Sequence, residues 1–406
     1  MTTQTAGAEP LIDDARAKKN VLVLATAQAF GGAGPPINMA IATLAAHHLL
    51  GEDKSLATFP ITTFVLGTAC GAFPAALLMR RVGRRAGFIA GLLIGAIGGL
   101  IEAAAIAVHS FWLLAFGAFL VGVTNAFVHQ FRFAAADISS VAFRPKAIAW
   151  VLAGGLFAAL IGPQSAILTR DMMDPIPFAG AFISASVFAI VAAFVLTLLD
   201  IPKPRVTEKG NAGRPLREIA GQKDFILAVL CAICAYALMN LVMTAAPLAM
   251  VGSGHHVDTA VRGIQWHVVA MFAPSFFTGS LIARFGAERV VAVGMILLLG
   301  CASVALSGTS VGHYWFALVL LGVGWNFGFI GGTTLVTATY RPEEKERVQA
   351  LNDFLVFGFV ALASLSSGYF LVLGGWNLVN LAVYPIALLC LSALGLLALK
   401  RKRGLG

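Results

Sequence analysis

The sequence predicts an all-α membrane protein with twelve transmembrane helices in two pseudo-symmetric six-helix bundles. Three observations predict it. The 406 residues are 59% hydrophobic and only 12% charged, against roughly 45–50% apolar and about 25% charged in soluble domains. The apolar residues fall in runs of about 20, the length that crosses a bilayer. Of the 28 Lys and Arg, 25 fall on one side of the threading these runs define, and only Lys54, Arg170 and Arg262 fall on the other.

The threading is anchored by Leu78-Met79-Arg80-Arg81-Val82-Gly83-Arg84-Arg85, between apolar runs 56–79 and 86–108. Four arginines in six residues cannot enter hydrocarbon, so this is a short surface loop. Gly83 permits the tight reversal, and the positive-inside rule places the loop in the cytoplasm. In order, the spans are 21–45, 56–79, 86–108, 110–134, 146–168, 177–199, 225–250, 264–283, 290–308, 312–338, 347–371 and 376–399. The expected domains are a cytoplasmic tail at 1–20, bundles at 21–199 and 225–399, a central cytoplasmic loop at 200–224, and a cytoplasmic tail at 400–406. The first apolar run is too long for a signal-peptide core and reads as a retained span. The location expected is the cell inner membrane.

The net charge of +9 does not point to nucleic acid, because the basic residues lie in short loops between apolar runs. There they read as topology signals and contacts to lipid head groups. Cys70, Cys231, Cys234, Cys301 and Cys390 all fall inside apolar runs and read as packing residues. His255-His256 has no metal-ligand partners at usable spacing, and no metal or cofactor is expected.

The halves repeat. Arg81-Val82-Gly83 with Gly91 matches Arg284-Phe285-Gly286 with Gly294, and Leu120-Val121-Gly122-Val123 matches Leu320-Leu321-Gly322-Val323, both about 200 residues on. A half-length repeat is a signature of transporters built from two similar bundles.

These features together resemble the major facilitator superfamily. Its loop signature G-x-x-x-D-R-x-G-R-R/K is matched by Arg81, Gly83, Arg84 and Arg85, with Ala76 and Arg80 replacing the Gly and the Asp. In the second half Gly279, Arg284 and Gly286 match, and Ala283 replaces the acid. Asp137 is similar to the family's acid at the end of span 4. The resemblance implies that it pairs with the loop arginines when the cytoplasmic side is shut, so Arg81, Arg84, Arg85 and Asp137 are the expected gate. Gly162-Pro163 lacks the trailing glycines of the antiporter motif G-P-x-x-G-G, which leans toward uptake. Residues 29–36, 132–137 and 239–244 resemble a branch of proteobacterial carriers that includes riboflavin transporters.

In that family spans 1, 4, 7 and 10 line the central cavity. Polar residues fall on all four: Gln28 on span 1, Asn125, His129 and Arg132 on span 4, Tyr236 and Asn240 on span 7, and Trp325 and Asn326 on span 10. Asn125, His129 and Arg132 share one helical face, and a polar stripe must face protein or water rather than lipid. The alternative is interhelical hydrogen bonding. Tyr236 and Trp325 with nearby amides suit a flat heteroaromatic solute, since rings supply stacking area and amides fix orientation. The alternative is plain packing. Gly31-Gly32 before Pro35-Pro36 invites a broken span 1. Glu102 and Asp353 are the candidate proton-coupling carboxylates, although Glu102 could snorkel to the outer end or simply stay protonated, and Asp353 could pair with a basic loop. The glycines spaced by four on spans 3 and 10 read as close helix contacts.

The chain is therefore expected to be a monomeric secondary transporter moving a small organic solute by alternating access, with protons as the coupling ion and the bilayer as its surroundings. An efflux antiporter of the same fold is one alternative and a non-transporting receptor another. No HExxH, GxSxG or P-loop motif supports an enzyme.

Overall fold

The computed structural model describes residues 14–140, 143–201 and 213–402. The elements are helical: α1 (Asp14–Gly31), α2 (Gly34–Leu49), α3 (Phe59–Val82), α4 (Arg84–Ala107), α5 (Phe111–Val128), α6 (Phe131–Asp137), α7 (Arg144–Thr169), α8 (Ala179–Val195), α9 (Leu216–Ala220), α10 (Lys223–Gly252), α11 (Val257–Phe272), α12 (Ser275–Phe285), α13 (Ala287–Ser307), α14 (Val311–Thr337), α15 (Lys345–Leu381) and α16 (Val383–Lys402).

Nine helical stretches among the described residues are long and apolar enough to span a bilayer, ten if the bent pair α11–α12 counts as one span. One of them, Arg347–Leu397, has 51 residues. At 1.5 Å per residue it far exceeds a core of about 30 Å. It holds two spans, divided at Gly374 and Gly375, whose backbone is not helical. The α1–α2 pair supplies the remaining crossing, giving twelve.

Span 1 breaks where the proline argument puts it. Pro35 and Pro36 carry no N–H for the carbonyls of Gly31 and Gly32, and the chain turns at Gly32 and Ala33 before α2 resumes. Its start differs from expectation. The helix begins at Asp14, inside the stretch read as a tail, because Arg16 pairs with Asp200 at 2.7 Å and Asn20 exchanges two hydrogen bonds with the Asp200 backbone. These contacts clamp the head of span 1 to the end of span 6. Residues 202–212 of the central loop, and 403–406 of the C-terminal tail, lie outside the described residues.

The repeat is visible in the backbone. Gly83 ends α3 with φ 89° and ψ 159°, and Gly286 ends α12 with φ 86° and ψ 148°. Both sit in a region that only glycine enters without strain. The glycine rows make close helix contacts, as their spacing implies. A Cβ on Gly95 would sit 2.6 Å from Thr124 of α5, and one on Gly328 would sit 2.6 Å from Ala235 of α10.

The bundles meet near the ends away from the arginine loops. There Thr58 donates to the Ser364 carbonyl (3.1 Å), Gln164 donates to Gln265 (2.6 Å) and Arg170 pairs with Asp258 (3.0 Å). Phe64, Val65 and Val121 of the first bundle pack with Val356, Val360 and Ala361 of the second. Toward the arginine loops the interior is open, and His129, Arg132 and Asp353 are exposed. These polar contacts between the bundles thus gather toward one face, and the exposed His129, Arg132 and Asp353 mark a vestibule between the bundles toward the basic face.

Candidate functional site

The vestibule wall on the first bundle is the junction of α5 and α6. Asn125 donates its Nδ2 to Thr68 Oγ1 (3.4 Å) and meets His129 Nε2 at 3.2 Å. The backbone stays in the right-handed helical region through His129-Gln130 and runs on into α6, so Arg132 keeps the same face. Its guanidinium sits 4.9 Å from the Phe133 ring and within electrostatic reach of Asp353 and Tyr236. Asn125, His129 and Arg132 thus form the stripe their spacing implies, and it faces the space between the bundles.

The opposite wall is aromatic. Tyr236 of α10 is half-buried, and its ring centroid lies 5.3 Å from Trp325, 5.1 Å from Phe329 and 5.7 Å from Phe357. Trp325 and Phe329, one turn apart on α14, are stacked at 5.2 Å. Trp325 is 8% exposed, and its Nε1–H has no hydrogen-bond partner. A buried indole N–H without an acceptor is uncommon; here it belongs to a nest of four rings beside a cationic side chain. Asp353 of α15 accepts from Asn352 (3.0 Å) and faces Arg132 across the vestibule. This places it inside, rather than paired with a basic loop. Six residues from four spans thereby surround one space: His129, Arg132, Tyr236, Trp325, Phe357 and Asp353.

The Major Facilitator Superfamily model matches residues 21–273 and 228–405. The chain belongs to this superfamily. It is a multi-pass membrane protein and a secondary transporter of small solutes. The chain is 46% identical over 394 residues to the riboflavin transporter RfnT of Brucella anthropi, covering 97% of this chain and 98% of that protein. It is 28% identical over 389 residues to the uncharacterized MFS-type transporter YddS of Bacillus subtilis, covering 92% and 89%. Among solved structures, the POT family transporter PepTSo aligns with a TM-score of 0.70 at 13% identity, covering 95% of this chain and 98% of that one. A bacterial homolog of the human lysosomal transporter Spinster, inward-facing and occupied, aligns at 0.69 and 16%, covering 93% and 95%. At such identities the structures show the fold alone.

Several expected site residues stand elsewhere. Asn326 is fully buried, and its hydrogen-bonding capacity is used within the second bundle. It donates to the Met271 carbonyl and to Ser275 Oγ, both at 2.7 Å, and accepts from Thr278 at 2.6 Å. The reason is Pro274, which interrupts the ladder between α11 and α12, a pair bent by 43°. Asn326 replaces the lost backbone partners instead of facing the vestibule. Asn240 is also buried, accepting from Thr244 at 3.3 Å. Gln28 sits at the span 1 break against Gly154 and Gly155 of α7. Glu102 does not snorkel. It is 0% exposed, and both carboxyl oxygens contact Asn38 Nδ2, at 2.9 and 3.0 Å.

Arg84 pairs with Asp137. Both belong to the first bundle, and the pair is made while the vestibule is open on that face. It ties the head of α4 to the end of α6, and the structure holds it without closing the bundles. Arg81 and Arg85 are exposed. Among the described residues no set of three His, Cys, Asp or Glu is placed to hold a metal. Cys231 and Cys390 bring their sulfurs to 3.7 Å inside the second bundle, both as free buried thiols.

Sequence reasoning missed Asn38, Phe329, Phe357 and the outer contacts Gln164–Gln265 and Arg170–Asp258. Phe329 carried a signal, since it lies one turn from Trp325. The others gain their meaning from partners at least 64 residues away in sequence, which spacing does not reveal.

Proposed function

We propose that this protein imports riboflavin, or a flavin closely related to it, across the cell inner membrane. The observation that carries the reading is the nest of Tyr236, Trp325, Phe329 and Phe357 beside Arg132. A tricyclic flavin ring is flat and apolar on its faces and bears carbonyl and imide groups along one edge. Ring stacking in the nest supplies area, the Arg132 guanidinium and the free Trp325 Nε1–H supply donors, and Asn125 and His129 lie across the vestibule for the sugar alcohol. Identity of 46% along nearly the whole chain to a riboflavin transporter supports the same solute.

The two bundles, 21–199 and 225–399, rock about this site, with 200–224 as the joint and both termini in the cytoplasm. The conformation in hand is then the inward-open one, because the basic loops frame the vestibule mouth. Arg84–Asp137 keeps the first bundle's inner end rigid, and Arg81 and Arg85 stand ready to meet the second bundle when that side shuts. Protons supply the driving force, and one chain is the working unit, since a single copy supplies every wall of the vestibule. The absent trailing glycines after Gly162-Pro163 favour uptake over efflux.

The test is uptake of labelled riboflavin into proteoliposomes containing the purified protein, with and without an imposed pH gradient. Accumulation that collapses with an uncoupler, and in Tyr236→Ala and Trp325→Ala, is expected. Transport of riboflavin indifferent to both ring substitutions would remove the nest as its site.

A further inference from the structure

Glu102 is the charge-bearing group that the vestibule does not use, and its surroundings are specific. α2, α5 and α8 pack around it. A Cβ on Gly117 of α5 would sit 2.6 Å from Glu102 Cγ, so α5 lies directly on the side chain. Among the described residues no Lys, Arg or His pairs with it. The nearest titratable group in sequence is His109, seven residues on, exposed beyond the end of α4. α5 and α8 carry no ionisable side chain, His47 and His48 lie at the far end of α2, and Cys70, Arg80 and Arg81 lie toward the other end of α3. Its one partner, Asn38, is equally buried, and Asn38 Oδ1 has no partner at all.

A lone carboxylate at this depth, served by a single amide, is costly. A neutral acid would satisfy the site fully. Its O–H would donate to the idle Asn38 Oδ1, and Nδ2 would donate to the other carboxyl oxygen. Only a small rotation of the amide separates this arrangement from the one present, where Nδ2 faces both oxygens.

A small void lies between the couple and the vestibule, one helical turn from Asn38 and two from Glu102, and neither residue lines it. It sits at the span 1 break and is lined by Gly31, Gly34, Pro35, Gly95, Thr124 and Asn125. Asn125 touches His129 at the vestibule wall. Gly34 is one turn from Asn38, and Gly95 lies seven residues, about 10 Å, from Glu102 along α4.

We propose that Glu102 carries the coupled proton and that Asn38 is its positioning residue. This rests on the proton-driven uptake reading and chooses Glu102 over Asp353. With the proton bound, the carboxyl O–H is held by Asn38 Oδ1. On release the O–H bond breaks, the electron pair stays on Glu102 as carboxylate, and the proton passes to a water molecule that reaches the couple as the bundles rock. The carboxylate then takes the Asn38 Nδ2 on both oxygens.

Two measurements test it. The first needs no solute: infrared spectra of the lipid-embedded protein at neutral pH should show a protonated-carboxyl band that is lost in Glu102→Gln, kept in Asp353→Asn and shifted in Asn38→Ala. Identical bands in the unsubstituted protein and Glu102→Gln would overturn the proposal. The second uses riboflavin in proteoliposomes. Glu102→Gln should keep exchange of internal for external riboflavin and lose uphill accumulation, while Asn38→Ala should move the pH midpoint of uptake. A purely structural Asn38 would slow uptake without moving that midpoint. Accumulation equal to that of the unsubstituted protein in Glu102→Gln would also overturn the proposal. If riboflavin is not moved by any version, the solute reading fails while the infrared result still decides the proton site.

Discussion

Asn125 and Asn326 occupy matching turns of α5 and α14, about 200 residues apart, and each reaches a threonine on the neighbouring helix. Asn125 touches Thr68 at 3.4 Å and Asn326 accepts from Thr278 at 2.6 Å. There the likeness ends. In the first bundle the neighbouring α3 runs unbroken past this level, needs no repair, and leaves Asn125 free to meet His129 at the vestibule. In the second bundle Pro274 breaks the equivalent span, and Asn326 is drawn in to close the gap with Met271, Ser275 and Thr278. The same residue type in the same register lines the vestibule in one half and repairs a bend in the other, and the bend decides which: α3 carries Pro74 yet stays one helix, whereas α11 and α12 part by 43° at Pro274.

The largest expected effect breaks this comparison directly. Asn326→Ala strands the Met271 carbonyl and the Ser275 hydroxyl in the second bundle, while Thr278 keeps its bond to the Pro274 carbonyl, and buried groups left unpaired cost about 1–3 kcal/mol each before relaxation. A loss of about 2–4 kcal/mol is expected, read as a clear drop in unfolding temperature in detergent. Asn125→Ala should cost only about 0.5 kcal/mol, typical of an interhelical hydrogen bond in a membrane, while lowering flavin uptake. Equal destabilisation by the two substitutions would show that the halves are more alike than the hydrogen bonds indicate.

Next in size comes the division of labour between the two vestibule walls. If the aromatic wall on the second bundle supplies binding, Trp325→Ala should weaken riboflavin affinity by about 1–3 kcal/mol, as aromatic stacking on nucleic-acid bases does, or roughly 5- to 150-fold. Trp325→Phe should recover most of that. His129→Gln on the polar wall keeps a hydrogen-bonding tip and should change affinity less than Trp325→Ala. Fluorescence quenching of riboflavin on titration with each variant gives the ranking.

How much of this was legible follows the same line. Crossing number and halves were readable because arginine cannot enter hydrocarbon, so the chain declares each surface loop; Gly83 and Gly286 even share their backbone angles. The Asn125–His129–Arg132 stripe was readable because helical spacing alone puts the three together. Asn326 was misplaced because its role depends on a break in a different span, although Pro274 was there to be seen. The nest was half-read: Tyr236 and Trp325 stood out by their polar tips, whereas Phe329 and Phe357 are two among 29 phenylalanines. Asn38 had no signal, because its meaning comes from a carboxyl on another helix.

The two bundles also differ in how their basic ends are tied. In the first, Arg16 and Asp200 pair with side chains 55% and 70% exposed, and such pairs contribute about 0–1 kcal/mol. In the second, Glu344 is covered locally by the chain around Arg214 and Arg341. It accepts from the Arg214 backbone and guanidinium, at 2.8–2.9 Å, and from the Arg341 N–H at 2.8 Å. The Arg214 guanidinium beside it, helped by those N–H groups, holds its carboxyl well below the usual range. A depressed carboxyl stabilises the fold fully above the range where free glutamate titrates. That contribution fades as pH falls through this range toward the lowered value. Thermal unfolding of Glu344→Gln against the unsubstituted protein should show a gap that is constant around neutral pH and narrows below about pH 4.3. For Asp200→Asn the gap should be small. A constant gap for Glu344→Gln down to strongly acid pH would deny the carboxylate its role.

The smallest expected effect lies where the halves meet. Arg170 and Asp258 pair across the bundles at 3.0 Å, with side chains 18% and 41% exposed, and Arg170 also binds Asp171 at 2.9 Å. Partial exposure limits the pair to about 0–1 kcal/mol. A shift of that size is minor against the stability of the fold but not against an equilibrium between two packings of the same bundles, where about 1.4 kcal/mol is a tenfold change in population. Asp258→Asn should therefore leave the unfolding temperature unchanged and enlarge the outward-open population several-fold. Labelling of a cysteine placed at Thr62, buried one turn inward of the Thr58–Ser364 contact, reports that population. Faster labelling in the Asp258→Asn background, reversed by saturating riboflavin only if the flavin favours the inward-open form, would locate the seal in this pair; an unchanged rate would assign it to Gln164–Gln265 and the apolar contacts of Phe64 and Val360 instead.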